Sequence, residues 1–152
     1  MGAGSDRLQF FQVNTADLAA CEAAAKGVND AFGRIDILIN NAGLGGTKKF
    51  TEASSDYINT ILQVNVAATS LITHQLLPNL LKQPKAYILN VSSMAAFSPI
   101  GFKTVYPATK TFIHSFSRGL HEELKDTTNT VDPSIKFSTP PSSLRVISNC
   151  DL

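Results

Sequence analysis

Two short runs constrain this chain more than any other feature: DILIN at 36–40 and AYILNV at 86–91 are apolar, and helix-period segments lie around them. A continuous apolar run of strand length, bounded by polar residues, predicts a strand buried on both faces of a parallel sheet. Parallel neighbours need a long crossover, normally helical. The sequence supplies one from Glu52 to Lys82, where Ile58, Ile61, Leu62, Val66, Ile72, Leu76 and Leu77 form apolar faces and Pro78 marks a break or kink near the end.

The same alternation extends outward. Leu18, Cys21, Ala25, Val28 and Phe32 recur at spacings of three and four, with Gly33 where a helix stop belongs. A further amphipathic helix runs from about 106 to 125, with Phe112, Ile113, Phe116, Leu120 and Leu124 on its apolar side. LQFFQV at 8–13 has the length and composition of a strand, and LRVIS at 144–148 reads as the last one. Alternating strands and helices predict an open α/β layer with a parallel sheet and right-handed crossovers. A chain of 152 residues is the size of one domain. Residues 126–143, rich in Thr, Ser and Pro, are expected to form an exposed loop. No internal repeat is found.

Charge narrows the partners. Thirteen basic against twelve acidic side chains leave a net charge of +1, which lacks the electrostatic footprint of a nucleic-acid or anionic-membrane binder and points to a small molecule. The most apolar long segment, 57–81, is interrupted by Asn59, Gln63, Asn65, His74 and Asn79, which argues against a membrane span. The opening MGAGSDRLQF has no apolar stretch for a secretory signal. Cys21 and Cys150 show no metal-ligand spacing and read as small core thiols in a reducing compartment, so the cytoplasm is expected. Asn90-Val91-Ser92 matches a glycosylation acceptor, but its apolar setting argues for a buried strand.

Open α/β sheets bind ligands beyond the carboxyl ends of their strands. Here those ends carry Asn40-Asn41-Ala42-Gly43 and Ser92-Ser93, and the next helix begins with Tyr106 and Lys110 four residues apart. Each feature has a bland alternative. The serines can cap a strand end, Asn65 can be a helix polar group satisfied by backbone, NNAG can be a turn, and Tyr106-Pro107 can begin a helix. His74, His114 and His121 have no ligand spacing, so no metal site is expected, and Glu122-Glu123 reads as a solvated helix end.

Taken together, NNAG at 40–43, Asn65 in VNVAAT, Ser93, and Tyr106-Pro107-Ala108-Thr109-Lys110 resemble the ordered motifs of the short-chain dehydrogenase/reductase family, over residues 8 to 125. The resemblance selects Ser93 over Ser92, because the family's serine precedes its tyrosine by thirteen positions. It implies a Rossmann-like open parallel sheet with flanking helices, and NAD- or NADP-dependent interconversion of a carbonyl and a secondary alcohol. Tyr106 would be the general acid/base. Lys110 would sit beside it and bind the nicotinamide ribose, Ser93 would hydrogen-bond the substrate oxygen, and Asn65 would help hold a water in a proton relay. Ala42 and Gly43 would leave room for the cofactor, and Asn40 would pair locally or with adenosine. Asn14 stands where the family usually has an Asp touching adenine. The chemistry is physically coherent: a phenol titrates near ~10, and lowering that by about three units takes roughly 4 kcal/mol, much of which an ammonium one helical turn away can supply.

Other features depart from the family. The glycine-rich turn T-G-x-x-x-G-x-G, whose backbone N–H groups hold the pyrophosphate, has no counterpart, since Gly2 and Gly4 follow no strand. The first two strands and the C-terminal substrate-covering part are expected to be missing. A truncated, non-catalytic chain that binds no dinucleotide is therefore the alternative reading. In the strand order 3-2-1-4-5-6 the DILIN strand would present an open edge, which invites association. LQFFQV is expected to move beside DILIN, or the chain to pair with another copy, and the family's habit of dimerising through its long helices implies a homo-oligomer.

Overall fold

The computed structural model describes residues 9–125 and the backbone of 146–149. Its element order is α1 (Leu18–Phe32), β1 (Ile37–Asn40), α2 (Ser55–Leu62), α3 (Thr69–Leu80), β2 (Tyr87–Asn90), α4 (Val105–Leu124) and β3 (Val146–Asn149). The exposed loop expected at 126–143 lies outside the described residues.

The helix signals act as read. Asp17 caps α1, its Oδ1 accepting from the Ala20 amide at 3.1 Å, and Gly33 ends the helix with φ 63°, a left-handed conformation that only glycine adopts without strain. Between α2 and α3 the chain does not leave the helix. It passes through a π-helical segment, Gln63–Ala68, so one long rod runs from Ser55 to Leu80 with Pro78 inside its last turn.

The three strands are parallel in the order β2-β1-β3. Ile37 to Asn40 pair in register with Tyr87 to Asn90 and, on the other edge, with Val146 to Asn149. This corrects the expectation for LQFFQV. Residues 9–13 form no strand, because both edges of β1 are already paired and a strand exists only as part of a ladder. The segment lies against α1 instead, where a Cβ on Gly27 would stand 3.4 Å from the Phe11 ring. Phe10 is left 86% exposed. The open edge of DILIN is filled from the far end of the sequence, by β3.

Burial of the sheet is one-sided, again unlike the expectation. Along β1 and β2 buried residues alternate with half-buried ones. Leu38 and Ile88 face a core built from Ala25, Val28, Leu76, Leu80 and Leu124 of α1, α3 and α4. Ile37, Ile39, Tyr87 and Leu89 point to the opposite face, which stays half-open because the helices supplying the core lie on one side. Asn79 locks the helical layer, accepting from the Ile35 amide at 2.9 Å and donating to Asn29 Oδ1 at 3.1 Å. Among the described residues no helix is long and apolar enough to cross a membrane.

Candidate active site

The carboxyl ends of β1 and β2 lie side by side because Asn40 and Asn90 are register partners. Two buried amides at adjacent strand ends must find partners or cost stability. They find each other. Asn40 Nδ2 donates to Asn90 Oδ1 at 2.7 Å and to Thr73 Oγ1 at 2.9 Å, while Asn90 Nδ2 donates to Ser117 Oγ at 2.9 Å. The resulting ladder, Thr73–Asn40–Asn90–Ser117, ties α3, β1, β2 and α4 together beneath the loops that leave the strands. Asn40 is thus engaged locally.

Above the ladder, Asn65 reaches the loop after β1. It sits in the π-helical segment, where an extra residue in the turn shifts the helix face, and it is 1% exposed. Its Oδ1 accepts from the Leu44 amide at 2.7 Å, and its Nδ2 donates to the Leu44 carbonyl at 2.9 Å and to Thr109 Oγ1 at 2.9 Å. Thr109 Oγ1 in turn donates to the Tyr106 carbonyl at 2.7 Å. One side chain therefore joins the β1 loop to the first turn of α4.

Tyr106 and Lys110 project from that turn. The Lys110 Nζ lies 5.9 Å from the centroid of the Tyr106 ring and donates to the Val91 carbonyl at 2.9 Å. Lys110 is 5% exposed, and burial pushes its ammonium below the usual lysine range. The loop after β1 closes over the pair without side chains in the way. A Cβ on Gly43 would come within 3.2 Å of Lys110 Nζ and 3.8 Å of Asn65 Oδ1, and one on Gly45 within 3.9 Å of the Tyr106 ring. Ala42 is buried beside them in sequence and Gly43 is exposed.

The serines take different parts. Ser92 Oγ donates to the Lys110 carbonyl at 2.9 Å, fastening the β2 end to α4. Ser93, half-buried, caps the short 3₁₀ turn Met94–Phe97 by accepting from the Ala95 amide at 3.2 Å, which leaves its hydroxyl hydrogen free to donate. The structure thus brings Gly43, Asn65, Tyr106 and Lys110 together, with Ser92 linking the serine pair to the same helix. It does not join Asn14 to them. Asn14 is exposed and its Oδ1 accepts from the Ala16 amide at 3.1 Å, shaping the turn before α1. His74 lies on α3 and His114 and His121 on α4; among the described residues no three His, Cys, Asp or Glu side chains come close enough to hold a metal.

Sequence reasoning missed Thr109 and Asn90. Both had a signal: Thr109 lies inside the Tyr106–Lys110 segment, and ILIN and YILN end on the same residue type at what becomes the same register.

Comparison with known proteins agrees with the fold and the family resemblance. A family model described as short chain dehydrogenase matches residues 1–139. The chain is 41% identical over 109 residues to serine 3-dehydrogenase of Agrobacterium fabrum, covering 71% of this chain and 43% of that protein. It is 38% identical over 102 residues to an uncharacterized oxidoreductase of Staphylococcus epidermidis, covering 67% and 44% respectively. It therefore spans less than half the length of these curated relatives. Among solved structures, a metagenomic short-chain oxidoreductase in complex with NADP superposes with a TM-score of 0.76 at 26% identity, covering 82% of this chain and 57% of that one. A short-chain dehydrogenase/reductase from Burkholderia phymatum in complex with NAD gives 0.73 at 25% identity, covering 81% and 45%. Sequence motifs, a parallel sheet with its polar ends clustered, and a family match through residue 139 lead to one conclusion: this chain belongs to the short-chain dehydrogenase/reductase family.

Proposed function

We propose that this chain carries the proton-transfer centre of an NAD- or NADP-dependent oxidoreductase that interconverts a carbonyl and a secondary alcohol, with Tyr106 as general acid/base. The observation that carries the reading is the buried Lys110 ammonium held 5.9 Å from the Tyr106 ring. Reduction of a carbonyl leaves charge on its oxygen, so the site needs a proton donor and hydrogen-bond donors where that charge develops. Tyr106 gives up its phenolic proton beside a fixed positive charge, and the free Ser93 hydrogen is the candidate donor to the substrate oxygen. In the reverse direction the phenolate takes the proton back. Asn65, with its amide committed to Leu44 and Thr109, acts by holding the β1 loop over the pair.

The residues fit the nicotinamide-ribose end of a dinucleotide. Gly43 leaves the space beside Lys110 Nζ that a side chain would fill, so ribose hydroxyls can approach the ammonium. Among the described residues no glycine-rich turn leads into a helix, and α1 begins instead with the Asp17 carboxylate at its cap. When bound, the cofactor supplies or accepts the hydride. For a full-length form with turnover, Tyr106→Phe is expected to lower that turnover about 10²- to 10⁴-fold. Unchanged turnover overturns the assignment.

A second reading, a non-catalytic member that binds no dinucleotide, is favoured by the pairing of β3. The strand order 3-2-1-4-5-6 puts the strand bearing the glycine-rich turn where Val146–Asn149 pairs with β1. Titrating NADH and NADPH fluorescence against the purified chain separates the two. Saturable binding favours the oxidoreductase, and none favours the second reading.

A further inference from the structure

The place of β3 in the sheet gives one crossover an unusual hand. Asn40 and Asn90 are register partners whose side chains bond each other, so they share one face of the sheet. On that face Asn40 meets Thr73 of α3 and Asn90 meets Ser117 of α4. Both crossovers therefore run over the same side. The first, β1-α3-β2, steps from β1 out to β2, whereas the second, β2-α4-β3, steps back past β1 to the far edge. Two parallel crossovers that share a face and step in opposite directions have opposite hands, and about 98% of such connections are right-handed. The NADP-bound relative superposes over 82% of this chain, too large a share to leave β1-α3-β2 out. The exceptional hand thus falls to β2-α4-β3.

The outer edge of β2 offers a strand the usual hand. Tyr87 donates to the Asp36 carbonyl and Val91 to the Asn40 carbonyl, both at 2.9 Å, so the odd-numbered residues of β2 turn their backbone groups toward β1. Ile88 and Asn90 turn theirs the other way, off the sheet. Among the described residues no strand meets them, although Ile88 is 1% and Asn90 8% exposed. Buried backbone donors and acceptors along a strand edge call for a ladder partner. β3 has the reach to supply it. From the outer edge of β1 to the outer edge of β2 is three strand spacings, about 14 Å. The connection 126–145 extends by up to ~3.3 Å per residue.

We propose that the outer edge of β2 is a second docking place for β3, so that the sheet exchanges between the order β2-β1-β3 and the order β1-β2-β3. In the second order both crossovers share one hand and the outer edge of β1 stands open. The proposal is independent of the reading of Tyr106 as proton donor.

Disulfide trapping in the full chain tests it, with Cys21→Ala and Cys150→Ser removing the native thiols. Ser148 stands opposite Ile39, and Ile39 opposite Leu89, so two spacings, roughly 10 Å, separate Ser148 from Leu89. That exceeds the ~7 Å between Cα atoms that a disulfide can bridge. Leu89→Cys with Ser148→Cys is therefore expected to close within one chain through the second order alone, and Ile39→Cys with Ser148→Cys through the first. Mass spectrometry of the remaining free thiols after mild oxidation reads both. An open Leu89 pair overturns the proposal whatever the Ile39 pair does. Closure only between two copies, seen as a dimer on a non-reducing gel, overturns it as well. Tyr87→Cys with Val146→Cys repeats the test two residues earlier and replaces the first pair if that variant does not fold. In the closed Leu89 form, hydrogen exchange is expected to quicken at the amides of Ile37 and Ile39, which face β3, and to slow at those of Ile88 and Asn90. Exchange unchanged at all four amides shows that β3 never left β1 and sinks the proposal.

Discussion

Asn65 grips Leu44 by both backbone groups, accepting from its amide at 2.7 Å and donating to its carbonyl at 2.9 Å. A primary amide is the smallest side chain that offers one acceptor and two donors in a plane, and here all three functions are used, the last on Thr109. Asn65→Asp keeps the acceptor but sets a buried carboxylate against a carbonyl oxygen. Asn65→Leu leaves both Leu44 groups unpaired. Either change is expected to cost about 2–4 kcal/mol in urea unfolding. The more specific readout is hydrogen exchange at the Leu44 amide, which should lose its protection in Asn65→Leu.

The Asn40–Asn90 pair is expected to behave as one unit. Asn40→Leu takes away the amide that donates to Asn90 Oδ1 and to Thr73 Oγ1, and Asn90→Leu takes one acceptor from Asn40 and the donor to Ser117 Oγ, which still donates to the Ile113 carbonyl, so each is expected to destabilise the fold by about 1–3 kcal/mol. The double variant removes both halves of the central bond and should cost less than the sum, by about 1–2 kcal/mol. Additive losses in a double-mutant cycle would show that the two amides are satisfied independently.

Much of this arrangement could be read before the fold was seen. Leu18 to Phe32 announced its helix because spacing, cap and Gly33 all agreed, and DILIN and AYILNV announced their strands by being apolar and short. LQFFQV had the same composition and misled, because a strand is a property of its partners and β1 had both edges taken. Which segment takes an open edge depends on competition between remote parts of the chain, and no local pattern records it. The one-sided burial of β1 was hidden for the same reason, since an all-apolar run does not say how many layers cover it. The ordered motifs named Tyr106, Lys110 and Asn65, which the structure brings together. The π-helical segment that turns Asn65 toward Leu44 was invisible, because one extra residue in a long helix barely disturbs its periodicity.

Gly46 is fixed by the hydroxyl of Tyr57 more than by its ring. A Cβ at position 46 would overlap the hydroxyl but would stand 3.0 Å from Cζ and 3.3 Å from Cε2. Gly46→Ala is therefore expected to destabilise by about 1–3 kcal/mol, the usual cost of forcing extra volume into a packed contact. Tyr57→Phe in the same chain should recover a large part of that loss. Thermal unfolding of the two single variants and the double variant measures the recovery, and no recovery would place the obstacle in the ring carbons of Tyr57.

Lys110 is expected to trade stability for its charge. Its ammonium is disfavoured by burial, so its proton is held less tightly in the folded chain than in the unfolded one, where the usual lysine value of 10.5 applies. Between the lowered folded value and 10.5 the unfolded chain binds more protons, and stability from this group rises with pH across that window. Below the window the full penalty of the buried charge is present; above it the penalty is gone. Lys110→Met removes the penalty at neutral pH and gives up the hydrogen bond to Val91, worth about 1 kcal/mol. The difference in melting temperature, Lys110→Met minus the unaltered chain, should therefore be most positive near pH 7 and decline toward pH 10.5. Proton transfer should run the other way. The charge beside Tyr106 disappears as pH rises through the folded Lys110 value, so turnover of a full-length form falls while the protein grows more stable. A melting difference that stays flat from pH 7 to 10.5 would show that burial does not hold the ammonium down, and the link between stability and activity would fail with it.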